Sequence, residues 1–93
     1  MGNTQLKYVY KTETQNGDLK DLNTLKIYKN NKLIFSGECL NDKREGFGVE
    51  YYTNGAIKYS GNWKDDKYHG SGRLHNRDNS IKYSGHFCNG VGI

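Results

Sequence analysis

The chain has 93 residues, 33% of them hydrophobic, which suffices for one domain and is too little for a thick two-layer core. Lys and Arg outnumber Asp and Glu by 14 to 10 and form no long basic run, so a nucleic-acid partner is not expected. No stretch approaches the roughly 18 apolar residues of a membrane span, and no apolar signal-peptide core follows Met1, so a cytoplasmic location is expected.

Met1-Gly2 opens like a myristoylation site, but Leu6 stands where that motif needs Ser or Thr. Residues 1–23 do not follow the pattern of the rest and are read as an N-terminal strand cap. Within them the β-branched and aromatic residues of Gln5–Thr12 predict a strand over 5–12, and Asn16-Gly17 predicts a turn.

From residue 24 onward the chain repeats itself. Ile57-Lys58-Tyr59-Ser60-Gly61 recurs unchanged at Ile81-Lys82-Tyr83-Ser84-Gly85, an offset of 24. Leu33-Ile34-Phe35-Ser36-Gly37 carries the same pattern one such offset earlier. A fixed period of this size marks stacked supersecondary units. Residues 24–93 therefore hold about three units, in one domain with the cap.

Turn pairs fall at Asn30-Asn31, Asn54-Gly55 and Asp78-Asn79, again one offset apart. Such pairs favour two-residue hairpins, because both central residues need positive φ. The predicted strands are 5–12, 24–29, 32–40, 46–53, 56–64, 70–77 and 80–88, with longer polar loops at 41–45 and 65–69. The fold class is all-β: a single elongated, curved antiparallel meander of stacked hairpins.

A two-residue turn fixes the register. Around Asn54-Gly55 it opposes Tyr52 to Ile57, Glu50 to Tyr59, Gly48 to Gly61 and Gly46 to Trp63, with Tyr51–Lys58, Val49–Ser60 and Phe47–Asn62 on the other face. The next hairpin opposes Leu74 to Tyr83, Gly72 to Gly85, Gly70 to Phe87 and His75 to Lys82. The preceding one opposes Tyr28 to Leu33, Lys26 to Phe35, Thr24 to Gly37 and Leu22 to Cys39. Facing glycines leave a flat slot across which rings from neighbouring strands can lie, so that one sheet buries apolar area on itself.

The candidate chemistry is sparse. Cys39 and Cys88 fall on opposite faces about four strands apart, at about 4.8 Å per strand. A disulfide needs Cα atoms within about 7 Å. Free thiols are expected, with Cys39 a small buried hydrophobe. His69, His75 and His86 lack metal-ligand spacing. No nucleophile elbow, P-loop or paired carboxylates are present. No enzymatic activity, metal or cofactor is expected.

Two surfaces remain. The row Phe35, Tyr59 and Tyr83, with Trp63 and Phe87, is the expected hydrophobic spine and also the expected partner-binding surface, since exposed aromatic patches mark such sites. The opposite face carries Lys58, Arg73 and Lys82 beside His75, His86, Ser60, Ser84 and Asn62. It is the expected contact for anionic lipid or an acidic partner.

Gly46-Phe47-Gly48-Val49-Glu50-Tyr51-Tyr52-Thr53-Asn54-Gly55 and the run from Tyr59 through Trp63 and Tyr68 to Gly72 resemble the MORN repeat (membrane occupation and recognition nexus). The resemblance covers about 24–93. It departs from the pattern at Cys39, where later copies have Trp63 and Phe87, at Thr24, where they have glycine, and at Asn76, equivalent to Tyr52. The resemblance implies a scaffold or adaptor binding proteins, itself (as a homodimer) or acidic membrane surfaces, with membrane or cytoskeletal association. A further alternative is an accessory domain of a larger enzyme. The leading expectation is a non-enzymatic protein-interaction module using an aromatic groove or an open sheet edge after Phe87.

Overall fold

Strands that alternate small or apolar with polar residues, joined by tight turns, pair with their chain neighbours. A computed structural model describes residues 5–13 and 19–93, and the turn expected at Asn16-Gly17 lies outside them. The strands are β1 (Gln5–Glu13), β2 (Leu19–Lys29), β3 (Lys32–Leu40), β4 (Lys43–Tyr51), β5 (Ile57–Lys64), β6 (Lys67–His75), β7 (Ile81–Cys88) and β8 (Val91–Gly92). They form one open antiparallel sheet in that order, the expected meander. Eight strands make the array as wide as its strands are long, with extents of 38 × 38 × 22 Å.

Two kinds of turn join the strands. Asn30-Asn31, Asn41-Asp42, Asp65-Asp66 and Asn89-Gly90 are two-residue turns with positive φ at both positions. Asn and Asp tolerate this conformation, and its twist matches that of the flanking strands. The stretches 41–45 and 65–69, expected as longer loops, are therefore tight turns with the strands running up to them.

The other turns are wider than expected. The Tyr52 N–H donates to the Ala56 carbonyl at 2.8 Å, and the Gly55 N–H to the Tyr52 carbonyl at 3.0 Å. Of the two expected turn residues only Gly55 has positive φ, at 90°. Asn76, Asn79 and Ser80 repeat the arrangement, with bonds of 2.8 and 3.0 Å and φ 73° at Asn79. Each is a three-residue loop ending in a left-handed residue. The extra loop residue shifts the pairing next to it, so Tyr51 faces Ile57 and His75 faces Ile81. Lys58 and Lys82, expected in those places, become the unpaired residues of bulges.

Farther from the turn the expected register holds: Glu50↔Tyr59, Gly48↔Gly61, Gly46↔Trp63, Leu74↔Tyr83 and Gly72↔Gly85. The first hairpin departs by one residue. Tyr28 faces Leu33 as expected, but an irregularity then pairs Ile27 with Phe35, Leu25 with Gly37 and Asn23 with Cys39. The expected Lys26–Phe35, Thr24–Gly37 and Leu22–Cys39 pairs do not form. The shift buries Leu25 and Ile27, 1% and 6% exposed, which the expected register would have turned away from the core.

The core is one face of this sheet. Gly37, Gly48, Gly61, Gly72 and Gly85 lie in one row across β3 to β7. Beside it Phe35, Tyr59 and Tyr83 interleave edge-to-face with Trp63 and Phe87, at centroid distances of 5.1 to 5.3 Å. The Trp63 Nε1–H donates to the Gly48 carbonyl at 3.1 Å. The other glycine of each Gly-x-Gly serves a different purpose. Gly46 and Gly70, equivalent in successive units, have φ of 89° and 73° where β4 and β6 carry extra residues against their neighbours.

Candidate interaction face

Phe35, Tyr59, Trp63 and Phe87 have between 0% and 4% of their surface exposed. They are the core, and so little exposed ring cannot serve as a contact surface. Only Tyr83 of the expected aromatic set is half-buried. The rings cover one another because each row is set half a step against the next.

A polar network lies on these rings. The Tyr68 ring stacks on Tyr59, and its hydroxyl donates to Glu50 Oε1 at 2.6 Å. The Arg44 guanidinium sits 4.3 Å from the Trp63 ring centroid, with Nε 3.1 Å from Asp66 Oδ1 and Nη1 3.8 Å from Glu50 Oε2. Asp66 also accepts the Arg44 backbone N–H at 2.8 Å, which fastens the turn of one unit to the strand of the previous one. The Asp66 N–H to Arg44 carbonyl bond, 3.1 Å, recurs one period on as Gly90 to Tyr68 at 2.9 Å.

Burial, the hydrogen bond to Glu50 and that carboxylate's charge push the Tyr68 hydroxyl well above the ordinary tyrosine range, and burial pushes up Tyr59. A raised folded pKa means the folded state keeps its protons after the unfolded tyrosines begin to ionise, near about 10. The associated stability is present below that pH and lost as pH rises beyond it. The urea midpoint of the native chain is therefore expected to fall between pH 8 and pH 11 more steeply than that of Tyr68→Phe. Parallel slopes would remove Tyr68 from the alkaline transition.

The opposite face of β5 to β7 is open. A shallow groove of about 640 Å³ runs over it, lined by Ser60, Asn62, Ser71, Arg73, Ser84 and His86 with Phe47, Ile57 and His75 at its margins. One strand-to-strand line reads Val49, Ser60, Arg73, Ser84 and the next Phe47, Asn62, with Ser71 opposite His86. Phe47 is 54% exposed and its N–H is held by Glu38 Oε1 at 2.8 Å.

Charge is one-sided here. No residue of β5, β6 or β7 is Asp or Glu, while all three histidines and Lys58, Lys64, Lys67, Arg73 and Lys82 lie in them. Of the expected cationic set, Arg73 lines the groove. Lys58 is half-buried, its Nζ 5.7 Å from the Tyr52 ring centroid, and Lys82 is exposed but not part of the lining. The bulges beside the three-residue loops separate them and put Ile57 at the groove margin. Phe47 and Ser71 were not singled out from sequence. Their signal was the polar side of the expected register, where Phe47 already stood beside Asn62.

Cys39 is fully buried and Cys88 exposed. Burial, followed by the nearby Asp42 charge, raises the Cys39 thiol pKa and keeps it a neutral hydrophobe.

A family model described as the MORN repeat matches residues 35–57 and 59–81, two consecutive units of the period. No curated protein and no solved structure matches the chain.

Proposed function

We propose that this chain, which belongs to the MORN repeat family, is a non-enzymatic scaffold or adaptor module of the cytoplasm that holds an acidic segment of a partner protein over β5 to β7. MORN repeats are found in proteins that bind membranes or proteins. The observation that carries the protein-binding reading is the groove. Arg73, His75 and His86 converge on a floor of hydroxyl and amide groups, with no carboxylate in the three strands beneath. Phe47 at one margin supplies an apolar anchor of the kind that extended segments use for register.

A second reading, anionic membrane contact, draws on a different feature of the same side. Ile81 is 56% exposed next to Lys82, and Ile57 is 37% exposed next to Lys58. Aliphatic groups flanked by lysine suit a lipid interface.

The test uses a fluorescein-labelled decapeptide of alternating Glu and Ser, and separately vesicles with and without phosphatidylserine. The native chain is expected to bind the peptide with an affinity that falls as salt rises. Arg73→Glu is expected to weaken it about ten-fold, the scale of a reversed charge at an interface. Peptide affinity unchanged by Arg73→Glu would sink the groove reading. Binding to acidic vesicles without binding to the peptide would carry the membrane reading instead.

A further inference from the structure

The open face of β5 to β7 is built around one cation. Ser36, Val49, Ser60, Arg73 and Ser84 are paired strand to strand in a single line across β3 to β7. Their side chains therefore share the face turned away from the rings. Val49 and Arg73 are equivalent, one period apart, and each stands between two serines. One unit fills that place with an aliphatic group and the next with a guanidinium.

The chain has three arginines. Arg44 is paired with Asp66 and lies on the Trp63 ring, and Arg77 lies 4.6 Å from the Tyr52 ring centroid. Among the described residues, Arg73 has no hydrogen bond, ion pair or ring contact, and the Ser60 and Ser84 hydroxyls beside it have no hydrogen-bond partner. All three line the groove. An unengaged guanidinium between two unengaged hydroxyls is arranged for an anionic group from outside.

The neighbouring line shows why the cation stands in this unit. Glu38, Asn62 and His86 are equivalent, one period apart. Glu38 puts a carboxylate on the Val49 side, where it accepts the Phe47 N–H. Asn62 and His86 bring an amide and an imidazole to the groove instead. An anion at Arg73 meets donors where an anion at Val49 would meet a like charge.

We infer that Arg73, with Ser60 and Ser84, seats the phosphoryl group of a phosphorylated serine or threonine in an extended segment of a partner protein. The inference rests on the groove reading above and names the acid that the groove selects. The guanidinium fork takes two oxygens side by side, on a carboxylate or on a phosphate. A carboxylate has only those two. A phosphoryl group has a third acceptor oxygen and close to twice the charge. The serines, about 4.8 Å to either side of Arg73, supply hydroxyl donors for what the fork leaves over. His86 lies on the diagonal from Arg73, about 7–8 Å away, and adds a donor at the rim.

Phe47 makes the ligand a segment of chain rather than a lipid headgroup. It stands two strands and two residues from Arg73 on the same face, and it is 54% exposed. The separation is about 12 Å, which an extended chain spans in about three or four residues. In a bilayer the apolar groups lie below the phosphates, whereas Phe47 and Arg73 share one face.

The test uses the full chain and a fluorescein-labelled peptide of serine and glycine with one central phosphoserine and a leucine three residues to either side. The same peptide with glutamate for phosphoserine is the comparison, and phosphatidylcholine vesicles containing phosphatidic acid offer the phosphate on lipid. The phosphopeptide is expected to bind about ten-fold more tightly than the glutamate peptide, the scale of added hydrogen bonds to a charged group. Ser60→Ala together with Ser84→Ala is expected to erase that advantage and leave the glutamate peptide unchanged. Arg73→Gln is expected to weaken both peptides. Phe47→Ala is expected to weaken the phosphopeptide but not a version with glycine for its leucines. Equal affinity of the two peptides, or an advantage that survives loss of both serines, overturns the phosphoryl seat and leaves the acidic groove standing. Binding of neither peptide removes the groove with it. Vesicle binding that Arg73→Gln weakens, without phosphopeptide binding, overturns the partner assignment in favour of lipid.

Discussion

Gly61→Val is expected to lower the urea midpoint of the chain well below that of Gly55→Ala. A Cβ on Gly61 would lie 2.4 Å from the Cα of Gly72, 2.6 Å from the Ser71 carbonyl oxygen and 2.8 Å from the Tyr59 hydroxyl. The first two are backbone atoms of the adjoining strand. They can retreat only if β5 and β6 separate, which breaks the ladder and opens the ring layer beside it. Overpacking in a well-filled core costs about 1–3 kcal/mol and sometimes more. Here no side chain is available to absorb it, so the upper end applies, against a total stability of only about 5–15 kcal/mol for ordinary domains. Gly55→Ala is the comparison. Gly55 has φ of 90° and nothing within 4 Å of its Cβ position, so the only cost is the left-handed conformation, about 1–2 kcal/mol. Circular dichroism during urea titration reads both. A folded Gly61→Val protein with a midpoint above that of Gly55→Ala would show that the glycine row is not closely packed.

These same glycines were the most legible part of the chain. Gly48 opposite Gly61 and Gly72 opposite Gly85 follow from the period and a hairpin register alone. The turn types did not follow. Asn54-Gly55 suits both a two-residue and a three-residue loop, and what separates them is the closing Tyr52–Ala56 bond, which no local residue pattern announces. That one-residue difference is small in the fold and decisive for the surface. It turns Lys58 and Lys82 into bulge residues and breaks up the cationic cluster expected around Arg73. The aromatic rows were legible as a spine for the same reason that the glycines were. Their enclosure was not, because it depends on half-step stacking between Phe35, Trp63, Tyr59, Phe87 and Tyr83, and on Tyr68 closing over Tyr59. Periodicity gives which side chains share a face. It does not give which of them a neighbour covers.

Trp63→Ala is expected to cost about 3–5 kcal/mol, the range for deleting a large buried ring, and Trp63→Phe far less. Trp63 is 4% exposed and touches, edge-on, the rings of Phe35, Tyr59 and Tyr68, at centroid distances of 5.2, 5.2 and 4.9 Å. It is also the platform for the Arg44 guanidinium. Phenylalanine preserves the edge contacts, and Phe87 occupies the equivalent place one unit later, so the site accepts that shape. What Trp63→Phe loses is the Nε1–H donation to Gly48, worth about 1 kcal/mol. The alanine variant does more than leave a cavity. Phe35 belongs to β3, Trp63 and Tyr59 to β5, and Tyr68 to β6, so this ring joins consecutive hairpins. In a stacked array each unit is stabilised chiefly by its neighbours. Loss of the ring is therefore expected to uncouple the array at this point. Hydrogen exchange of the β3 and β4 amides should accelerate before that of β6 and β7 does. Uniform acceleration across all strands in Trp63→Ala would instead mean that the sheet opens only as a whole. A midpoint equal to that of Trp63→Phe would mean that Trp63 does not couple the hairpins at all.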